Sequence, residues 1–87
     1  MRFANDAECK SAGLDPAEVE RIARGLEKYA KQAQAMGLII FGGAGGGTLR
    51  VGDGGQRRLV VAELTSANFD GGDGAYGVDN EGLLRGE

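Results

Sequence analysis

Residues 15–37, DPAEVERIARGLEKYAKQAQAMG, decide how this chain is read. Asp15 stands where a side-chain oxygen can accept the free amides of a first helical turn. Pro16 suits the first helical position, and Glu18 favours the positive end of the helix dipole. Val19, Ile22, Ala23, Leu26, Tyr29, Ala30, Ala33 and Met36 then recur at three- and four-residue spacing, which makes one apolar stripe. Glu20, Arg24, Glu27, Lys28 and Lys31 take the other face, with Glu20–Arg24 and Glu27–Lys31 at the favourable i,i+4 offset. Gly37 closes the pattern. It predicts a helix over about 16–36, roughly 30 Å long.

Upstream, Asn5 followed by Glu8 fits a capping box opening a short helix to about Ala12, with Gly13 as a left-handed cap. Downstream the composition changes: 15 of the 17 glycines follow Met36. Strands are expected over about 38–41, 48–51 and 58–64, separated by glycine-rich loops at 42–47 and 52–56. Asp53-Gly54 is a hairpin signal. Short connections imply antiparallel pairing, so the expected fold class is α+β, with the long helix on a three-stranded sheet. Strand orders 1-2-3 and 2-3-1 both remain open.

The strands differ in kind. Thr48-Leu49-Arg50-Val51 alternates, whereas Leu38-Ile39-Ile40-Phe41 and Leu59-Val60-Val61-Ala62 are apolar on both faces. One helix covers one face of a sheet. The second face therefore needs a cover: the segment after Phe69, a second copy of the chain, or a partner. Phe41, Leu59, Val61, Phe69 and Tyr76 are the candidate partner-binding anchors.

Charge adds a second asymmetry. Residues 1–69 hold nine Lys/Arg against eight Asp/Glu, while residues 70–87 hold five acids against Arg85 alone. The domain is placed at 1–69. An acidic, Gly-rich, flexible tail is expected over 70–87, with poor order beyond about Gly77.

Four motif readings are weaker than their plain alternatives. The glycine run 42–47 follows a strand, but Gly47 stands where a phosphate loop needs Lys, and a strand follows instead of a helix. Asp70 to Glu81 spans 12 residues like a calcium loop, yet Gly72, Gly74 and Ala75 occupy ligand and turn positions. Residues 9–22 have a helix-turn-helix cadence, in a regulator carried by 9–33, with Arg21, Arg24 and Lys28 as candidate nucleic-acid contacts. The acidic N-terminal end of the second helix argues against that reading. Arg50, Arg57 and Arg58 surround the Asp53-Gly54 turn and suggest a small anion-binding tip, or simply a charged strand edge.

Catalysis finds no set of residues. The chain has no histidine, and its lone cysteine, Cys9, has no evident base. No catalytic residue, metal ligand or cofactor is assigned. The N-terminus shows no apolar leader, and the longest apolar run is four residues, so a cytoplasmic protein with no membrane partner is expected. The function expected is a non-catalytic protein-binding module, acting as a homodimer or docked on a larger protein. Small accessory or inhibitor proteins of phage and mobile elements often have this character. The alternative is a helix-turn-helix regulator.

Overall fold

The computed structural model describes residues 2–43, 45–71 and 74–86. Ala44 of the glycine run, Gly72 and Asp73 of the calcium-like stretch, and the terminal Glu87 lie outside the described residues. The chain is α+β: α1 (Asp6–Ser11), α2 (Pro16–Ala35), β1 (Ile39–Gly43), β2 (Gly46–Val51), β3 (Leu59–Leu64), β4 (Tyr76–Val78) and β5 (Leu84–Gly86).

Both helices end as their glycines dictate. Gly13 and Gly37 have φ of 75° and 76°. The amide of Leu14 reaches back to the Cys9 carbonyl at 2.8 Å, and that of Leu38 to Ala33 at 2.9 Å. These six-to-one bonds satisfy carbonyls that the helix ends leave open. The helix starts divide. Asp15 Oδ1 accepts the Ala17 amide at 3.0 Å. Asn5 makes no side-chain cap bond, so the expected capping box is absent. Glu8 is engaged elsewhere: its Oε2 accepts the amide of Leu84, 2.9 Å away.

The sheet has order β1-β2-β3, antiparallel throughout. Ile39 faces Arg50, Phe41 faces Thr48, and Gly43 faces Gly46. On the other edge Leu49 faces Ala62 and Arg50 faces Val60, so Val61 is the extra residue of a bulge. The glycine run that sequence pattern assigned to a loop therefore lies mostly in strands. The reason is a close approach. A Cβ on Gly47 would sit 2.9 Å from the Phe69 ring, and one on Gly42 would sit 3.0 Å from the Asp70 carbonyl oxygen. Gly71 presses on Gly42 in turn, where a Cβ would meet the Gly42 carbonyl oxygen. Glycine in a strand often marks such a site.

A second, two-stranded sheet pairs β4 with β5 antiparallel, where sequence pattern expected a tail without strands. Its turn is built on Asp79. That side chain's Oδ1 accepts the amides of Glu81 and Leu83 at 2.8 and 3.0 Å, and its Oδ2 accepts Arg85 Nε at 2.7 Å. Strands of three residues are too short to show a period-2 pattern.

The chain divides into two compact units, residues 1–29 with 74–87, and residues 30–73. The last turns of α2 belong to the same unit as β1–β3. Among the described residues only Cys9, Glu20 and Gly47 are buried. The stripe on α2 splits. Its small members, with Val19, are half-buried, while Ile22, Leu26, Tyr29 and Met36 are 54%, 66%, 66% and 73% exposed.

Candidate functional site

Cross-strand partners share a face of a sheet, and successive residues alternate between faces. The rows Phe41–Thr48–Glu63 and Ile39–Arg50–Val60 thus lie on one face of β1–β3. Gly42, Gly47 and Leu64 lie on the other, with Ile40, Leu49 and Ala62. Phe69 covers part of this second face, with its ring against Gly47. The first face is open, with Ile39, Phe41 and Val60 40%, 44% and 51% exposed, and on the second face Ile40, away from Phe69, is 47% exposed.

Arg50 organises that open face. Its Nε donates to Thr48 Oγ1 at 2.8 Å, and its guanidinium carbon lies 4.0 Å from the Phe41 ring centroid. Stacking on the aromatic face holds the cation flat over the apolar surface, where it remains able to meet an acid. Phe41, Thr48, Arg50, Glu63 and Thr65 line a shallow concavity of about 270 Å³. Drug-sized ligands occupy pockets of about 300–1,000 Å³ that bury most of their surface. This shape suits a protruding side chain better.

The five anchors expected from sequence do not form one cluster. Phe41 and Phe69 lie on opposite faces of the sheet. Leu59 sits at the start of β3 opposite Val51, and Val61 is the bulged residue; both are exposed. Tyr76 is on β4, in the other compact unit, and is exposed as well. Sequence reasoning left Ile39 and Val60 out of the anchors and read Arg50 only as part of the anion-binding tip. Their signal was present in the two-sided apolar strands, but the register needed to sort the faces was not.

Arg50, Arg57 and Arg58 come together around a wider concavity of about 790 Å³, lined also by Gly52 and Gln56. Asp53 serves the turn beside it, its Oδ1 accepting the Gly55 amide at 3.0 Å.

Carboxylates dominate the other unit. Glu20 Oε1 accepts the amides of Phe3 and Ala4 at 2.8 and 2.9 Å, and Oε2 accepts Arg24 Nε at 2.8 Å. The Ala4 amide leads in holding this carboxyl at about 2, well below 4.5, against the opposing cost of burial; Phe3 and Arg24 add to it. Asp79 is also held at about 2, first by Arg85 and then by the Leu83 amide. These acids are structural staples with filled acceptor sites. Among the described residues, no three His, Cys, Asp or Glu side chains gather as a metal ion would require.

The cations of the helix-turn-helix reading are partly committed too. Arg21 pairs with Glu18 at 2.9 Å and Arg24 with Glu20, while Lys28 Nζ lies 5.9 Å from the Tyr29 ring centroid. No described helix is long and apolar enough to cross a membrane.

Together these features define a small α+β chain with an open apolar sheet face under a stacked arginine. Compared with models of protein families, with curated proteins and with solved structures, the chain matches none.

Proposed function

We propose that this chain is a non-catalytic protein-binding module. The observation that carries the reading is the open sheet face of Ile39, Phe41 and Val60, with Arg50 stacked across it. An apolar centre flanked by an arginine is the composition of interface hot spots. Burying such a face removes apolar surface from water at about 25 cal/mol per Å². The cation then favours partners that bring a carboxylate beside an apolar side chain. Such a module works as a small accessory or inhibitor protein, in the reducing cytoplasm where the buried thiol of Cys9 stays free.

The test compares the wild-type chain with Phe41→Glu, both shown to be folded by circular dichroism. Each is used as bait in extract of the native host, with bound proteins identified by mass spectrometry. The reading requires a protein that the wild type retains in stoichiometric amount and the variant loses by at least about tenfold. Equal recovery of every protein by both baits would sink it. Salt-sensitive binding to pooled genomic DNA, abolished by Arg21→Ala with Arg24→Ala, would instead favour the regulator.

A further inference from the structure

Arg50, Arg57 and Arg58 gather three positive charges around one concavity of about 790 Å³, beside the turn that joins β2 to β3. All of it lies within the compact unit of residues 30–73. No Asp or Glu lines it. Among the described residues, none of the three arginines stands in an ion pair. Asp53, the acid of the same turn, accepts the Gly55 amide through Oδ1 instead. Guanidinium groups gathered this way repel one another, and an acid that enters relieves the repulsion while accepting their forked N–H donors. Arg50 also lines the smaller concavity at Phe41, where Thr48 and the Phe41 ring fix its position. The arginine concavity and the open apolar face are thereby continuous.

We propose that the arginine concavity receives an acidic peptide segment, carrying two or more carboxylates, of the protein that docks on the Phe41 face. The inference rests on the protein-binding reading and specifies the partner's chemistry. Size argues against a lone anion. A water molecule occupies about 30 Å³, so a concavity of about 790 Å³ has room for several side chains and not merely one carboxylate or phosphate. The sheet argues for a polypeptide. β3 is an edge of the order β1-β2-β3, and Leu59, Val60 and Val61, directly after Arg57 and Arg58, are all exposed. An edge strand offers its backbone N–H and C=O groups in register to an extended peptide, and a nucleic acid cannot match that register.

Charge argues against a nucleic acid as well. The chain carries a net −3, so a long polyanion meets repulsion beyond the concavity. A short acidic segment does not, because charges beyond roughly 8 Å are largely screened at physiological salt. Phe41 is the one aromatic residue lining either concavity, and Arg50 already stacks on it. That leaves no row of free aromatic faces for successive bases.

Fluorescence anisotropy with the full chain at low salt tests the site. The probe is a labelled decapeptide alternating Asp with Val, compared with the same peptide carrying Asn for Asp. The acidic probe is expected to bind at least about tenfold tighter than the neutral one. Arg57→Ala with Arg58→Ala, folded by circular dichroism, weakens it by at least about tenfold. Lys28→Ala with Lys31→Ala, an equal loss of charge on α2, leaves it within about twofold. Equal binding of the two peptides, or none, overturns the proposal, as does equal binding of the acidic probe by the two double variants. Tighter binding of single-stranded oligothymidylate of the same charge also overturns it and makes the occupant a nucleic acid. Should the arginine variant lose its fold, NMR of the wild type decides. Saturating probe is expected to shift the Nε–H signals of Arg57 and Arg58 and to leave those of Arg2 and Arg21 in place; unmoved Arg57 and Arg58 signals overturn the site. A host protein lost by Phe41→Glu but kept by the arginine variant sinks this inference and leaves the sheet-face reading standing. Acidic-probe binding with no host protein lost by Phe41→Glu overturns the sheet-face reading while the arginine site stands.

Discussion

The two compact units are closed by different chemistry. In residues 1–29 with 74–87, ionised side chains hold backbone amides: Glu20 ties down Phe3 and Ala4, Glu8 takes Leu84, and Asp79 builds the β4–β5 turn. In residues 30–73, shape closes the structure: β1–β3 pair through their backbones, and 69–71 lies on strand glycines. Carboxylate staples need charge and tolerate modest changes in side-chain volume. Glycine contacts are indifferent to charge and intolerant of a single added carbon. One chain therefore contains an acid-sensitive unit and a volume-sensitive unit.

Acid breaks the comparison most widely. Both Glu20 and Asp79 titrate at about 2 when folded, below their ordinary 4.5 and 3.8. Their contribution is present in full above those ordinary values and is lost as pH falls through the folded ones. Amide exchange protection at Phe3, Ala4, Glu81 and Leu83 is expected to fall between about pH 4.5 and 2. The amides of β1–β3 should keep theirs over the same range. Parallel loss in both units would erase the distinction.

Gly47→Val strikes the other unit. The added side chain meets the Phe69 ring, and the expected cost is about 2–3 kcal/mol by urea denaturation. The amides fixed by Glu20 should not shift. A cost below about 0.5 kcal/mol would mean that 69–71 does not rest on the sheet.

The smallest test sets the two helix starts against one another. Asp15→Ala removes a cap bond that exists and should cost about 1 kcal/mol. Asn5→Ala removes none and should stay within about 0.5 kcal/mol of wild type. Equal effects would restore the capping box that sequence pattern expects at Asn5.

Much of this was legible in local sequence. The stripe from Val19 to Met36 marks α2, and Gly13 and Gly37 mark both helix ends, because a left-handed residue after a helix is a local requirement. The two-sided apolar strands identified β1 and β3, and the open sheet surface with them. What escaped depends on distant partners. Asn5 and Glu8 have the spacing of a capping box, but Leu84 takes the Glu8 carboxylate from 76 residues away. Gly42 and Gly47 look like part of a loop to a reader of propensities, since nothing local shows Phe69 and Asp70 arriving over them.

Sequence alone determined the two helices and the central residues of β1, β2 and β3, because helix caps, apolar periodicity and turn glycines act within a few residues; the strand glycines and β4–β5 escaped it. Tertiary structure decided the rest: which strand face Phe69 covers, which face stays open around Arg50, and that Asp79 closes a hairpin. Those outcomes depend on register and on contacts between residues far apart in the chain. A strand carries its side chains to both faces alike, so only its neighbours determine which face is left for another molecule.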